Sequence, residues 1–195
     1  MASGIFWLAW WFYYDFYFVL PKKIAMKIKY VEGSLFDFVP SKCDPNTIAC
    51  ICHVVNDLGR WGSGFVLPLA DHFPKAREEY IKWARGEQVE WHTPFELGAT
   101  QHVDISENVT VYNMVGQHSI GHPRPLRYNA LSTCMDKVAL LIKNNPKPGE
   151  IHAPLFGSDL AGGDWNFIEQ LIIDCWLRND IPVTIYRLPK KSNYV

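Results

Sequence analysis

Two stretches of this chain combine residue types that could hold an anion. The first reads His53-Val-Val-Asn56-Asp57-Leu-Gly59-Arg60-Trp61-Gly62-Ser63-Gly64-Phe65. The second reads Pro154-Leu-Phe156-Gly157-Ser158-Asp159-Leu160-Ala161-Gly162-Gly163-Asp164-Trp165. Glycine lacks a Cβ, so its backbone N–H can approach an anion closely, and a helix starting just beyond adds positive potential. One such loop is ordinary turn chemistry. Two in equivalent positions, each after a strand and before a helix, suit two phosphates, or a pyrophosphate with a sugar. Neither is a P-loop, because no Gly-Lys-Ser/Thr follows. The first has the spacing G-x-x-G-x-G, not the G-x-G-x-x-G of dinucleotide binders. ATPase and dehydrogenase chemistry therefore lose support.

Chemistry on a ligand bound there would need a titratable side chain to activate water or a nucleophile, and stabilisation of developing charge. His53, Asp57, His118, Asp159 and Asp164 are the candidates. His53 could equally be a satisfied core histidine. Asp164, just before a helix, is either a reacting carboxylate or an N-cap. His118 and His122 are four apart, but Gly121 and Pro123 break any helix that would align them. Without further clustered ligands neither a metal site nor a cofactor is expected. Arg124 and Arg127 line an anionic pocket or face solvent.

The elements that position these loops follow from periodicity. Alternation predicts a strand over 27–31, and a nearly continuous apolar run over 47–55 suits a strand buried on both faces. Strands are also expected over 109–115, 151–156 and 183–188, with Pro154 suggesting an edge or a bend. Helices are expected over 65–70, 75–85, 126–143 and 165–178, the second with Pro74 at its start, where a missing N–H is harmless. Alternating strands and helices predict an α/β layered sheet with helices on both faces, and ligands in such sheets bind beyond the carboxyl ends of the strands.

The chain has 195 residues, 48% apolar and 20% charged, which fits one ordinary domain. Nineteen basic against twenty acidic residues give a net charge of −1, which argues against a dedicated nucleic-acid binder. The five cysteines are odd in number and form no C-x-x-C; Cys50 and Cys52 share one face of a strand as buried thiols. A reducing, cytoplasmic setting is expected. Residues 1–25 stand apart. Positions 5–20 are apolar or aromatic except for Asp15, which would cost about 3 kcal/mol at mid-bilayer. This extension reads as a short membrane anchor, as a tail of no set role, or as the product of an upstream start with Met26 the true first residue. The domain is expected over 26–189, with a tail at 190–195.

The strand ending in Asn56, the loop 59–64, the block Val111-Tyr-Asn-Met-Val-Gly-Gln117 and the stretch 157–165 together resemble a macro domain, over about 26–188. The likeness is nearest to the branch of ADP-ribose 1''-phosphate phosphatases and small ADP-ribosyl hydrolases. It implies a mixed, mostly parallel sheet of about six strands between helices, with an ADP-ribose cleft at the strand ends. By that resemblance Asn56 lies near the distal ribose and His53 is a general acid/base; Asp164, which ends the second loop just before Trp165, is the catalytic carboxylate expected from its position. Gly62, Ser63 and Gly64 approach the distal ribose and phosphate, and Asp57 and Gly59 are expected among the ligand-binding residues. Gly157, Ser158, Asp159, Leu160, Ala161, Gly162 and Gly163 hold the diphosphate, and Phe156 packs on the distal ribose. Ser34 stands where many members have an adenine-binding Asp, so that contact is weakened. Gln117 and Ala161 fall where one deacylating branch has a Lys/Asp pair, so water attack is expected rather than a covalent lysyl-sugar. The resemblance implies a hydrolase that removes phosphate from ADP-ribose 1''-phosphate, or ADP-ribose from a modified protein or nucleic acid. The alternative is a non-catalytic ADP-ribose-binding module.

Overall fold

The computed structural model describes residues 26–39, 41–87, 93–121 and 124–189. The extension at 1–25, the tail at 190–195, and His122 of the spaced histidine pair lie outside the described residues. So does the question of Met26 as the true start. In chain order the elements are β1 (Lys29–Glu32), β2 (Ile48–Asn56), α1 (Val66–His72), α2 (Pro74–Ala84), β3 (Thr100–Ser106), β4 (Val109–Gln117), α3 (Tyr128–Asn144), β5 (Gly149–Pro154), α4 (Trp165–Cys175) and β6 (Val183–Arg187). The six strands form one sheet in the order β1-β6-β5-β2-β4-β3. Neighbours run parallel except β3 and β4, which are antiparallel.

β2 lies near the middle of the sheet, and its apolar run follows from cover on both faces. Side chains alternate across a strand. Cys50 and Cys52 enter one core with Met114 of β4, Ile151 of β5, Leu131 and Met135 of α3, and Ile168 and Ile172 of α4. Ala49 and Ile51 enter the opposite core with Val111 of β4, Leu69 of α1 and Ala76 of α2. The spacing of Leu131, Met135, Val138 and Ile142 lays the apolar stripe of α3 along the first of these cores. Trp176, fully buried just past α4, donates its indole N–H to the Met135 carbonyl at 2.9 Å and ties α4 to α3.

Four expectations need correction. β5 is an interior strand, not an edge. Its pairing to β2 stops at His152, so Pro154 needs to satisfy no ladder on that side. The helix expected over 165–178 ends at Cys175 and continues as a short 3-10 turn, Leu177–Asn179, which Asp180 closes at φ 61°. α3 begins at Tyr128, because Leu126 is held in an antiparallel bridge to Gln117. β3 was not expected at all: Gln101, His102, Asp104 and Ser106 interrupt its apolar pattern, as suits an edge strand. No helix among the described residues is long and apolar enough to cross a membrane.

Ile151 is fully buried where the two central parallel strands meet α3 and α4. Ile151→Ala should cost about 2–5 kcal/mol, read as a fall in the urea midpoint at unchanged slope. A loss below about 1 kcal/mol would contradict this packing.

Candidate functional site

β2 and β5 are adjacent and parallel, so the glycine stretches that follow them leave the same edge of the sheet side by side. They touch. A Cβ built on Gly64 of the first would lie 3.4 Å from Leu160 Cδ1 of the second. The connection after β4 closes the third side. Leu126 N–H donates to the Ala161 carbonyl at 3.2 Å, and a Cβ on Gly162 would come within 3.1 Å of Arg124 Cγ.

The first loop is organised by the last residue of β2. Asn56 Oδ1 accepts from the N–H groups of Leu58 (3.1 Å) and Arg60 (3.0 Å), and its Nδ2 donates to the Arg60 carbonyl at 2.7 Å. Tyr80 of α2 donates its hydroxyl to the Asn56 carbonyl at 2.6 Å. The loop rests on α2, where a Cβ on Gly59 would come 2.7 Å from Ala84 Cβ. Trp61 donates its indole N–H to the Val66 carbonyl at 2.8 Å, folding the tip back onto α1. The N–H groups of Gly62, Ser63 and Gly64 find no acceptor among the described residues, and the space beside Gly62 is open.

The second loop closes on itself. Gly162 N–H donates to the Asp159 carbonyl and Gly163 N–H to the Gly157 carbonyl, both at 2.8 Å. Gly157 turns the chain at φ 75°, a region open chiefly to glycine. A Cβ on Gly163 would meet Leu126 Cδ2 at 2.4 Å and the Gly157 carbonyl at 2.5 Å, so only glycine fits. Ser158 Oγ donates to the Leu155 carbonyl at 2.9 Å. The N–H groups of Gly157, Ser158, Leu160 and Ala161 have no acceptor among the described residues. Both loops thus gather, at one edge of the sheet, backbone donors with no acceptor among the described residues, which is what an anion requires.

The side chains singled out in the sequence are placed unequally. His53 is sealed in the core at 1% exposure, edge-on to Trp61. Asn113 Nδ2 donates to Gln101 Oε1 (2.8 Å) and the Ala76 carbonyl (3.3 Å). Its Oδ1 therefore faces His53 and accepts from Nε2–H at 2.6 Å. That leaves His53 Nδ1 without a proton or a hydrogen-bond partner among the described residues. Burial pushes the imidazole pKa down to about 4. Asp164 is exposed and caps α4, accepting from Asn166 N–H at 2.9 Å. Asp159 is exposed, and Leu160 projects at 64% exposure. Phe156 is buried between Trp165 and Trp176. Ser34 follows β1 on the same edge, and its hydroxyl caps a short turn by accepting from Phe36 N–H at 3.2 Å.

Tyr80, Asn113 and Gln101 were not singled out in the sequence, yet they hold Asn56 and His53. The one available signal was a polar Asn inside the apolar run of β4. The pairing of Asp57 with His118 was also not foreseen. Asp57 Oδ2 accepts from His118 Nδ1 at 2.7 Å and Oδ1 from Ser119 N–H at 2.8 Å. Burial alone would raise this carboxyl, but the Ser119 amide and His118 outweigh it and hold it below the usual range.

Among solved structures the chain is similar to a macrodomain protein from Streptomyces coelicolor. Identity is 38%, the match spans 83% of this chain and 99% of that one, and the TM-score is 0.68. A protein of unknown function from Bacteroides thetaiotaomicron is 34% identical over 83% of this chain and 98% of its own, with TM-score 0.73. Thermosipho africanus DarTG, in complex with ADP-ribose, shares the fold at 15% identity and TM-score 0.60, over 86% of this chain and 43% of that one. No family model and no curated protein matches the sequence. The chain belongs to the macrodomain family.

The buried imidazoles make stability depend on acid. His152 lies 6% exposed in β5, beside the Tyr186 hydroxyl, and burial also lowers its pKa to about 4. Both folded values lie below that of the unfolded histidine, about 6.5. The unfolded chain therefore gains protons first as pH falls. The histidine contribution to stability should fall from about pH 6.5 downward and level off below about pH 4, by roughly 3 kcal/mol for each histidine. Urea midpoints across that range measure it, and a constant midpoint between pH 6.5 and 5 would refute it.

Proposed function

We propose that this macrodomain is an ADP-ribose-recognising hydrolase. Its substrate is ADP-ribose 1''-phosphate, from which it removes phosphate, or a macromolecule from which it removes ADP-ribose. The observation that carries the reading is the close approach of two glycine loops at Gly64 and Leu160, each with N–H groups that have no acceptor among the described residues. In this reading the second loop receives the diphosphate and the first the distal ribose and its substituent. The Thermosipho protein of the same fold holds ADP-ribose, which supports the nucleotide sugar as the ligand. The setting we propose is the cytoplasm, where the five unbridged cysteines stay reduced.

One observation favours the second reading, a binding module without turnover. Asn56 spends its amide on its own loop, and His53 is sealed from solvent. Neither is free to meet a substrate in this conformation. Calorimetry with ADP-ribose, beside phosphate release from ADP-ribose 1''-phosphate and ADP-ribose release from a modified protein, separates the two. Binding with turnover of either substrate establishes the hydrolase; binding alone leaves the module.

Two substitutions probe the loops. Gly62→Ala adds a methyl where nothing lies within 4 Å. It should leave the melting temperature within about 2 °C and weaken ADP-ribose binding about tenfold by crowding the approach to the amides; unchanged affinity would take the first loop out of the site. Asn56→Ala removes three hydrogen bonds that tie the loop. It should cost about 1–3 kcal/mol of stability as well as activity. A rate loss without a stability loss would mean the amide meets ligand instead.

A further inference from the structure

We propose that His118, oriented by Asp57, is the general base for hydrolysis at this cleft, an inference that rests on the hydrolase reading above. Asp57 is the first residue after β2, His118 the first after β4, and Asn56 and Gln117 are register partners. The pair therefore stands at the end of two adjacent strands, where the first glycine loop departs. The connection that His118 opens goes on to meet the second loop at Ala161 and Gly162.

The carboxylate accepts from His118 Nδ1–H, which leaves the lone pair of Nε2 directed away from Asp57. The His118 side chain is 57% exposed and that of Asp57 16%, so the carboxylate is sheltered while the imidazole reaches solvent. Ser119 adopts φ 66°, a conformation uncommon for a side-chain-bearing residue, and its N–H is held by the other Asp57 oxygen. Residues held in such sparsely populated backbone regions cluster at functional sites. His53 lacks this access, and Asp164 caps a helix.

The substrate class is ADP-ribose carrying an oxygen-linked group, phosphate or ester, on C1'' of the distal ribose. Neutral His118 takes a proton from water at Nε2 as the water oxygen bonds to C1''. The C1''–O bond breaks and its electron pair leaves on the departing oxygen. That oxygen, or solvent in its place, then takes the proton from Nε2, giving ADP-ribose and the free phosphate or acid.

The test compares wild type, His118→Gln, Asp57→Asn and His118→Gly by kcat and KM on ADP-ribose 1''-phosphate and on an ADP-ribosylated protein. ADP-ribose affinity is measured for each by calorimetry. In Asp57→Asn the amide can keep Ser119 through its oxygen while donating to Nδ1, which moves the imidazole proton to Nε2 and blocks the base. His118→Gln and Asp57→Asn should each lower kcat about 10²–10⁴-fold. KM and ADP-ribose affinity should stay within about threefold, and added imidazole should restore part of the His118→Gly rate. A kcat within threefold of wild type in His118→Gln, or a loss of affinity as large as the loss of rate, overturns the proposal and leaves the hydrolase reading standing. A wild type that binds ADP-ribose and turns over neither substrate overturns both.

Discussion

Where two parallel strands end side by side, the chain leaving each carries N–H groups that the ladder no longer satisfies. In this protein that happens at the centre of the sheet, between β2 and β5. The first loop quiets two of its donors internally, through the Asn56 amide, and the second quiets two through its own carbonyls. The remaining donors have no acceptor among the described residues. Glycine at 62, 64, 157, 162 and 163 keeps side chains from covering them or from wedging the loops apart. In the function proposed above, affinity for a negatively charged ligand is thus a property of the backbone, and the sheet order supplies the geometry.

Around this edge the protein separates support from access. The buried relay from His53 through Asn113 and Gln101 ends on carbonyls of α2, with Gln101 donating to Glu79. It binds β2, β4 and β3 to the helix on which the first loop rests. A neutral imidazole with one proton can serve there because its Nε2–H has a good acceptor; the cost is an unpartnered Nδ1 in the core. The exposed imidazole, His118, sits instead at the strand ends, in the connection after β4.

Much of the fold was readable from residue pattern. The run at β2 and the block at β4 are apolar because both faces are covered, and such runs announce central parallel strands. β3 escaped because an edge strand in contact with water need not be apolar. Pro154 misled because a proline in a strand usually marks an edge; here it falls where the neighbouring strand has already stopped pairing. The two glycine loops were legible, and so was their placement at strand ends. The fates of Asn56, His53 and Phe156 were not, because each depends on partners 20 or more residues away or on how far a turn folds back. Asp57 and His118 are 61 positions apart, and only the β2–β4 register makes them neighbours.

The seating of Gly59 on Ala84 has a consequence for how such a cleft can change over generations. Ala84 ends α2 beneath the loop, and its methyl group sets the height at which the loop rides. A bulkier residue there would lift the loop like a shim under a plate, while a smaller one would let it sink. Selection can therefore shift the first loop through a residue beneath it, while the loop's own residues stay unchanged.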